Sequence, residues 1–366
     1  MRVVMVSKAL VVGAYQRKLE EIAAHPDVEL VAVIPKAWGG QRYQPGFVAG
    51  YRTILVPIRF DGSFHLFHLP TLGRILRDLR PDVVHVDEEP YNLATVLATH
   101  HALAAGARPL FFTWQNLLRR YPPPFRWFER YVYSHSRHAV AGNAEAVDVL
   151  RAKGYRGPAT VIPQFGVDPD LFSPSDRASD DPKRPFTIGH VGRLTPEKGT
   201  MLLLEAASRL TGDWRLRLVG SGVLGDMIPP RARQLGIEDR VSVEPFVPST
   251  EVPGLLRELD VLALPSLTIP SWKEQFGRIL QEAMACGVPV VGSDSGEIPH
   301  VIGDGGLVAP EGDVDALRSA LQRLLDDRTL CEELARRGRA RVLECFTQAS
   351  IAARTVAVYR QVTAEP

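Results

Sequence analysis

Short apolar runs alternate with stretches in which apolar residues recur every three or four positions, along nearly the whole chain. Residues 3–7, 28–34, 53–58, 83–86, 110–113, 139–141 and 160–162 read as strands. Residues 14–24 and 69–79 read as amphipathic helices among them. Such alternation predicts parallel sheets covered by helices on both faces. The pattern pauses over 166–185, where Pro169, Pro174, Pro182 and Pro185 mix with serines and aspartates, and a linker is expected there. It then resumes with strands at 187–191, 215–219, 241–244, 261–264 and 289–292, and helices at 200–210, 251–258, 277–285, 314–326 and 330–343. The expected fold class is therefore α/β, with two Rossmann-like doubly wound domains, 1–165 and 186–347. A final helix is expected at 348–362, with Thr347 as its N-cap.

Composition changes this picture little, but its distribution adds to it. The 366 residues suit two domains, each able to bury its own core. Residues 1–165 carry 20 Lys and Arg against 13 Asp and Glu, a net of +7, whereas the remainder carries 23 against 29, a net of −6. A basic first half is suited to something anionic, such as a phospholipid surface or an acidic acceptor. Three cysteines without metal spacing point to a reducing, cytoplasmic setting. The start, Met1-Arg2-Val3-Val4-Met5-Val6, reads as a buried strand rather than a signal peptide, and no apolar run reaches the roughly 20 residues of a membrane span.

Candidate chemistry concentrates in two places of the second half. A strand ending His190-Val191-Gly192 leads into Arg193-Leu194-Thr195-Pro196-Glu197-Lys198-Gly199. Gly192 permits a turn and a close approach. Arg193 offers a forked donor, Lys198 a point charge, and the helix after Gly199 its free amides, together a set suited to a diphosphate. Next, Glu274-Gln275-Phe276-Gly277 precedes a helix carrying Glu282. The two carboxylates stand at different levels beside a helix N-terminus, and a carboxylate can accept two vicinal hydroxyls. Asp313-Val314-Asp315 has a metal-binding form, but its place after Gly312 at a helix start makes Asp313 an N-cap.

Gly192-Arg193-x4-Lys198-Gly199 and Glu274-x7-Glu282 occur in order with three further stretches. These are Asp260-Val-x-Ala-Leu-Pro-Ser266, Gly296-Glu297-Ile298-Pro299 and Gly306-Leu-Val-Ala-Pro-Glu-Gly312-Asp313. In this combination the chain resembles retaining glycosyltransferase family 4, which has the two-domain GT-B fold with chemistry in the cleft between domains, and the resemblance implies that the final helix, 348–362, crosses back to the first domain. The resemblance implies transfer of a sugar from a nucleotide-diphosphate donor to a hydroxyl, with attack on the face the phosphate leaves. It implies that Arg193 and Lys198 stabilise the diphosphate, that Glu282 holds the ribose and that Glu274 holds the transferred sugar. Backbone groups at Phe276, Gly277 and Ile279 would line the sugar phosphate, and Phe246 and Val247 would lie along the base. Gly13, in Val12-Gly13-Ala14 where the family commonly has Gly-Gly, would face the phosphates from the other domain. Two cations would replace a metal, so no cofactor is expected.

For the acceptor, Val83-Val84-His85-Val86-Asp87-Glu88-Glu89-Pro90 ends a strand in a cluster of ionisable groups, and Asp87 or Glu88 could orient the attacking hydroxyl. His85 alternates with the core face and also fits a buried structural histidine. Residues 108–138 interleave six arginines with aromatic residues that include Trp114, Tyr121, Phe125, Trp127, Phe128, Tyr131 and Tyr133, against one acid, Glu129, which suits an anionic membrane surface as well as it suits a core helix with a solvated face. No nucleic-acid-binding module accompanies them. The acceptor is expected to be a lipid-linked precursor, a saccharide or a small molecule. A nucleotide-sugar epimerase or hydrolase, or a non-catalytic nucleotide-sugar-binding subunit, are the other readings.

Overall fold

The computed structural model describes residues 1–174 and 184–364. The strands are β1 (Arg2–Val6), β2 (Glu29–Pro35), β3 (Ala37–Trp38), β4 (Gln41–Arg42), β5 (Arg52–Val56), β6 (Val83–Val86), β7 (Arg108–Thr113), β8 (His138–Ala141) and β9 (Ala159–Val161), then β10 (Phe186–Val191), β11 (Trp214–Val219), β12 (Val241–Glu244), β13 (Val261–Leu264), β14 (Val290–Ser293) and β15 (Gly306–Ala309). Consecutive residues of β1, β2 and β6 are buried, as expected of strands covered on both faces.

Among the described residues, seven strands make one sheet in the order β5-β2-β1-β6-β7-β8-β9, six make a second in the order β12-β11-β10-β13-β14-β15, and β3 pairs antiparallel with β4. Every pairing within the two large sheets is parallel. Met1–Gly166 and Gln348–Pro366 form one unit, and Val167–Thr347 the other. In each sheet the strand order reverses once, beside β1 in the first and beside β10 in the second. The loops after β1 and β6, and after β10 and β13, therefore leave the sheet at such a switch point, where doubly wound sheets bind their ligands.

The core of the first unit joins Val3, Met5, Leu19, Ile22 and Leu110 with Ile351, Val356, Tyr359 and Val362 of the last helix, Gln348–Ala364. The second unit's core joins Ile188, Leu203, Trp214, Leu218, Val261, Leu317 and Leu321. Asp260, at the start of β13, receives both Arg184 guanidinium nitrogens and the Thr187 amide, which ties it to the start of β10.

The expected linker, 166–185, divides differently. Val167 N donates to Phe346 O at 2.8 Å, Phe172 is buried, and Arg257 donates to the carbonyls of Leu171 and Ser173. Its apolar Val167 and Phe172 dock this proline-rich stretch on the second unit. Residues 175–183, which include Asp180 and Asp181, lie outside the described residues. Thr347 forms a bridge with Val167.

Candidate functional site

In the second unit, the chain leaving β10 turns at Gly192, whose φ of 150° suits glycine, and reaches Lys198 at the end of a short 3-10 turn, Pro196–Lys198. Gly199 follows with φ 70°, and a Cβ there would lie 1.9 Å from Pro265 O. Leu267 N donates to Glu197 O at 2.8 Å. The loop after β10 is thereby bonded to the loop after β13, and Lys198 is placed against it.

Lys198 Nζ donates to Glu274 Oε2 at 2.5 Å, and Ser266 Oγ donates to the same oxygen at 3.0 Å. Glu274 is held from its backbone as well. Glu297 N donates to Glu274 O at 3.3 Å, and a Cβ on Gly296 would meet that carbonyl oxygen at 1.9 Å. Trp272 lies alongside, with Lys198 Nζ 4.7 Å from its ring centroid. Both partners of the ion pair are largely shielded, with side-chain exposures of 15% and 9%, so the pair is stronger than a surface one.

The other expected donor-site residues are placed nearby in the chain but hold different partners. Arg193 is exposed and pairs with Glu197 at 3.3 Å. Gly277, with φ 78°, opens the helix Arg278–Ala285, and Glu282 in its second turn accepts from Arg278 at 3.2 Å. Burial raises the Glu282 carboxyl above its usual range, against the pull of Arg278. The Phe276 ring packs edge-on against Phe346 at 5.6 Å, so Phe276 offers a ligand its backbone. Ile279 and Val247 are half-buried, and Phe246 is exposed. Asp313 accepts from Ala316 N at 2.9 Å as the N-cap of the helix Val314–Asp326, and Asp315 pairs with Arg209.

In the first unit, Asp87 and Glu88 follow β6 and are both buried. Asp87 faces Lys18 Nζ at 3.4 Å, and Glu88 accepts from the ammonium and, at 2.7 Å, from the amide of Lys8. Burial is the largest single influence on Asp87 and works against its ionisation, but Lys18, His85 and hydrogen bonds from Gln164 and Ser7 together keep the carboxyl below its usual value. For Glu88 burial wins over Lys8, and its carboxyl is raised. Lys8 Nζ also lies 4.5–5.3 Å from the ring centroids of Phe64, Phe67 and Trp38.

Glu89 was quoted in the sequence with no role. Both its oxygens accept at 2.7 Å, one from Thr113 Oγ1 and one from Trp114 N, and burial pushes its carboxyl up to about 7. His85 Nδ1 lies 2.8 Å from Tyr359 Oη of the last helix, and burial lowers the imidazole to about 4, which makes it a neutral packing residue. Gly13 is buried. A Cβ there would meet Gln44 O at 3.1 Å, and Gln16 bonds the same strip through Gln44 O and Gly46 N, so the segment after β4 covers it.

Sequence reasoning assigned no role to Trp272, Ser266, Lys8 or Lys18. Ser266 lay within a quoted motif. Trp272, two residues before Glu274, carries no periodic signal; Lys8 finds Glu88 through the parallel pairing of β1 with β6, and Lys18 reaches Asp87 from the helix Arg17–Ala23.

Two Rossmann-like units with parallel sheets make this a GT-B-fold protein. The model for glycosyl transferases group 1 matches residues 173–341, and that for glycosyltransferase family 4 matches residues 26–171. The chain is 34% identical over 329 residues to the amylovoran biosynthesis glycosyltransferase AmsK of Erwinia amylovora, a match covering 81% of this chain and 77% of AmsK. It belongs to glycosyltransferase family 4. The MMP alpha-(1->4)-mannosyltransferase of Mycolicibacterium hassiacum is 34% identical over 231 residues, which cover 62% of this chain and 54%, about half, of that relative's length. Among solved structures, Anabaena Alr3699/HepE in complex with UDP superposes with a TM-score of 0.75 at 18% identity, covering 99% of this chain and 100% of that one. Among the described residues no helix is long and apolar enough to cross a membrane.

Proposed function

We propose that the chain is a retaining glycosyltransferase that moves a sugar from a nucleotide-diphosphate donor to an acceptor hydroxyl in polysaccharide or glycolipid synthesis. One observation carries this reading. Lys198, a cation suited to phosphate, and Glu274, an acceptor suited to sugar hydroxyls, meet at 2.5 Å where the second sheet reverses its strand order. A donor that engages both must separate them, its diphosphate taking the ammonium and its sugar the carboxylate. Arg193, exposed and tied only to a neighbouring turn, adds a second charge on the leaving group. Glu282 takes the ribose hydroxyls, and backbone at Phe276, Gly277 and Ile279 lines the phosphates beside the helix start. Gly192 leaves room for close approach, and Phe246 and Val247 lie along the base.

The names of similar proteins give the first donors to try. One similar protein is named as a GDP-mannose-dependent mannosyltransferase and Anabaena Alr3699/HepE was also solved with UDP-glucose, so GDP-mannose and UDP-glucose come first. The decisive experiment measures release of nucleoside diphosphate from these donors with and without an acceptor, and the anomeric configuration of the product. Acceptor-dependent release with retention supports the reading. Release without acceptor favours a hydrolase, and conversion of the sugar without release favours an epimerase. Catalysis is expected to persist in EDTA, since two cations serve the diphosphate; loss of rate in EDTA with recovery in Mg²⁺ overturns the metal-independent reading. Glu274→Ala is expected to cut turnover by roughly 10²–10³-fold with a much smaller effect on nucleotide binding.

The acceptor lies with the first unit in this reading. Asp87 and Glu88 are each neutralised by a lysine, so either acts on an acceptor only when its lysine moves away. The face of the helix Phe125–His135 that carries exposed Arg126, Trp127 and Arg130, next to exposed Leu118, Arg119 and Arg120, suits the anionic head groups of a membrane that holds a lipid acceptor. Most aromatic residues of 108–138 are at least half-buried, so Trp127 and Leu118 carry this contact. Flotation with anionic but not neutral vesicles supports it, and absence from both removes it.

A further inference from the structure

Among the described residues Lys198 meets a carboxylate and an indole, and of these two the carboxylate competes with phosphate. Glu274 accepts a hydrogen bond from its ammonium at 2.5 Å, and the Trp272 ring faces it at 4.7 Å. A donor diphosphate replaces the carboxylate but leaves the indole face in place. The backbone that carries the indole is also well fixed. Trp272 closes a turn with Ile269 through Ile269 N to Trp272 O at 2.9 Å and Trp272 N to Ile269 O at 3.1 Å. One residue earlier, Thr268 is clamped by Glu311, whose carboxylate accepts from the Thr268 amide at 2.5 Å and hydroxyl at 2.6 Å. Leu267 N then bonds Glu197 O, next to Lys198 itself. The turn with the tryptophan and the turn with the lysine are one bonded assembly.

From this geometry we infer that Trp272 is a positioning residue for donor binding: it holds the Lys198 ammonium at the diphosphate position while Glu274 is released to the sugar. A partly desolvated ammonium leaving the Glu274 carboxylate loses compensation, and an aromatic face supplies part of it without drawing the charge away from phosphate. The inference rests on the proposed function and deepens it by assigning a residue to the exchange. A purely structural Trp272 would support the loop without regard to the charge beside it.

The test titrates the full chain with UDP and with GDP by calorimetry, in the wild type, Trp272→Leu, Trp272→Phe, Lys198→Met and the double variant Trp272→Leu/Lys198→Met, each first checked for a cooperative thermal melt. Trp272→Leu is expected to weaken binding of the better nucleotide by roughly tenfold, and Trp272→Phe by no more than roughly threefold, since a phenyl face retains most of the attraction. In the Lys198→Met background, Trp272→Leu is expected to have no further effect. Equal binding by wild type and Trp272→Leu overturns the inference alone, as does an undiminished effect of Trp272→Leu without Lys198. A wild-type chain that binds neither nucleotide overturns the inference and the transferase reading together.

Discussion

At the scale of single residues, the first unit gathers three acids and two lysines in a buried space and settles each acid differently. Asp87 stays ionised beside Lys18, with exposures of 1% and 3%, and Glu88 is paired with Lys8. Removing one partner of such a pair leaves a buried charge and costs more than removing both. Glu89 accepts from Thr113 and Trp114 and feels Lys8 only as a lesser influence, and there burial prevails, placing its carboxyl near pH 7. An acid raised from 4.5 to about 7 in the fold binds its proton more tightly folded than unfolded. Its stabilising contribution is then fully present below pH 4.5 and is lost as pH rises through 7, to a total of about 3 kcal/mol. Glu89→Gln keeps an acceptor for Trp114 N and removes the titration. Urea unfolding at pH 5 and pH 8 should show the wild type losing stability relative to Glu89→Gln at the higher pH. A difference between the two proteins that is the same at both pH values would mean that Glu89 is ionised throughout.

At the scale of elements, the donor-side loops are legible in the sequence because their constraints are local. Glycines at 192, 199, 277 and 296 mark positive φ, and the charged residues stand at fixed offsets from them. Where a constraint comes from elsewhere in the chain, the sequence is silent. Gly13 reads as an open loop glycine, yet the residues 44–46 that cover it arrive after the hairpin of β3 and β4, two strands too short to announce themselves. The helix Leu93–Ala104 escapes notice because Ala and Thr make it apolar on several faces, leaving no stripe to detect. The edge strand β15 is four residues beginning in glycine. Gly199 tests how tightly the donor-side loops are joined. At φ 70°, alanine there is strained, and its Cβ would also strike Pro265 O at 1.9 Å, whereas Gly236 has a similar φ of 68° and open space around it. Gly236→Ala is expected to cost about 1 kcal/mol and Gly199→Ala about 2–4 kcal/mol in chemical unfolding, the difference being the displaced loop. Equal costs would show that the two loops move apart freely.

At the scale of the whole molecule, the alternation of strands and helices made two doubly wound sheets foreseeable, and the return of the last helix to the first unit was expected from family resemblance alone. The reason for that return lies in the core. Ile351, Val356, Val358, Tyr359 and Val362 are each at most 4% exposed and pack among the strands and the helix Arg17–Ala23. Tyr359 meets His85, and Arg360 grips Asp27 through two nitrogens at 2.9 and 2.7 Å. Burying those five side chains is worth on the order of 10 kcal/mol, comparable with the whole stability of a domain, about 5–15 kcal/mol. The buried cluster of the second unit around Ile188, Trp214 and Val261 runs to Leu334 in the chain. A chain ending at Thr347 is therefore expected to lose amide-exchange protection throughout residues 1–166 while keeping it in 186–345. Protection retained in β1, β2 and β6 of the shortened chain would mean that the helix only decorates a unit that is stable without it. Loss of protection in β10 and β13 as well would mean that the two units fold as one cooperative body, a coupling that separate cores do not require.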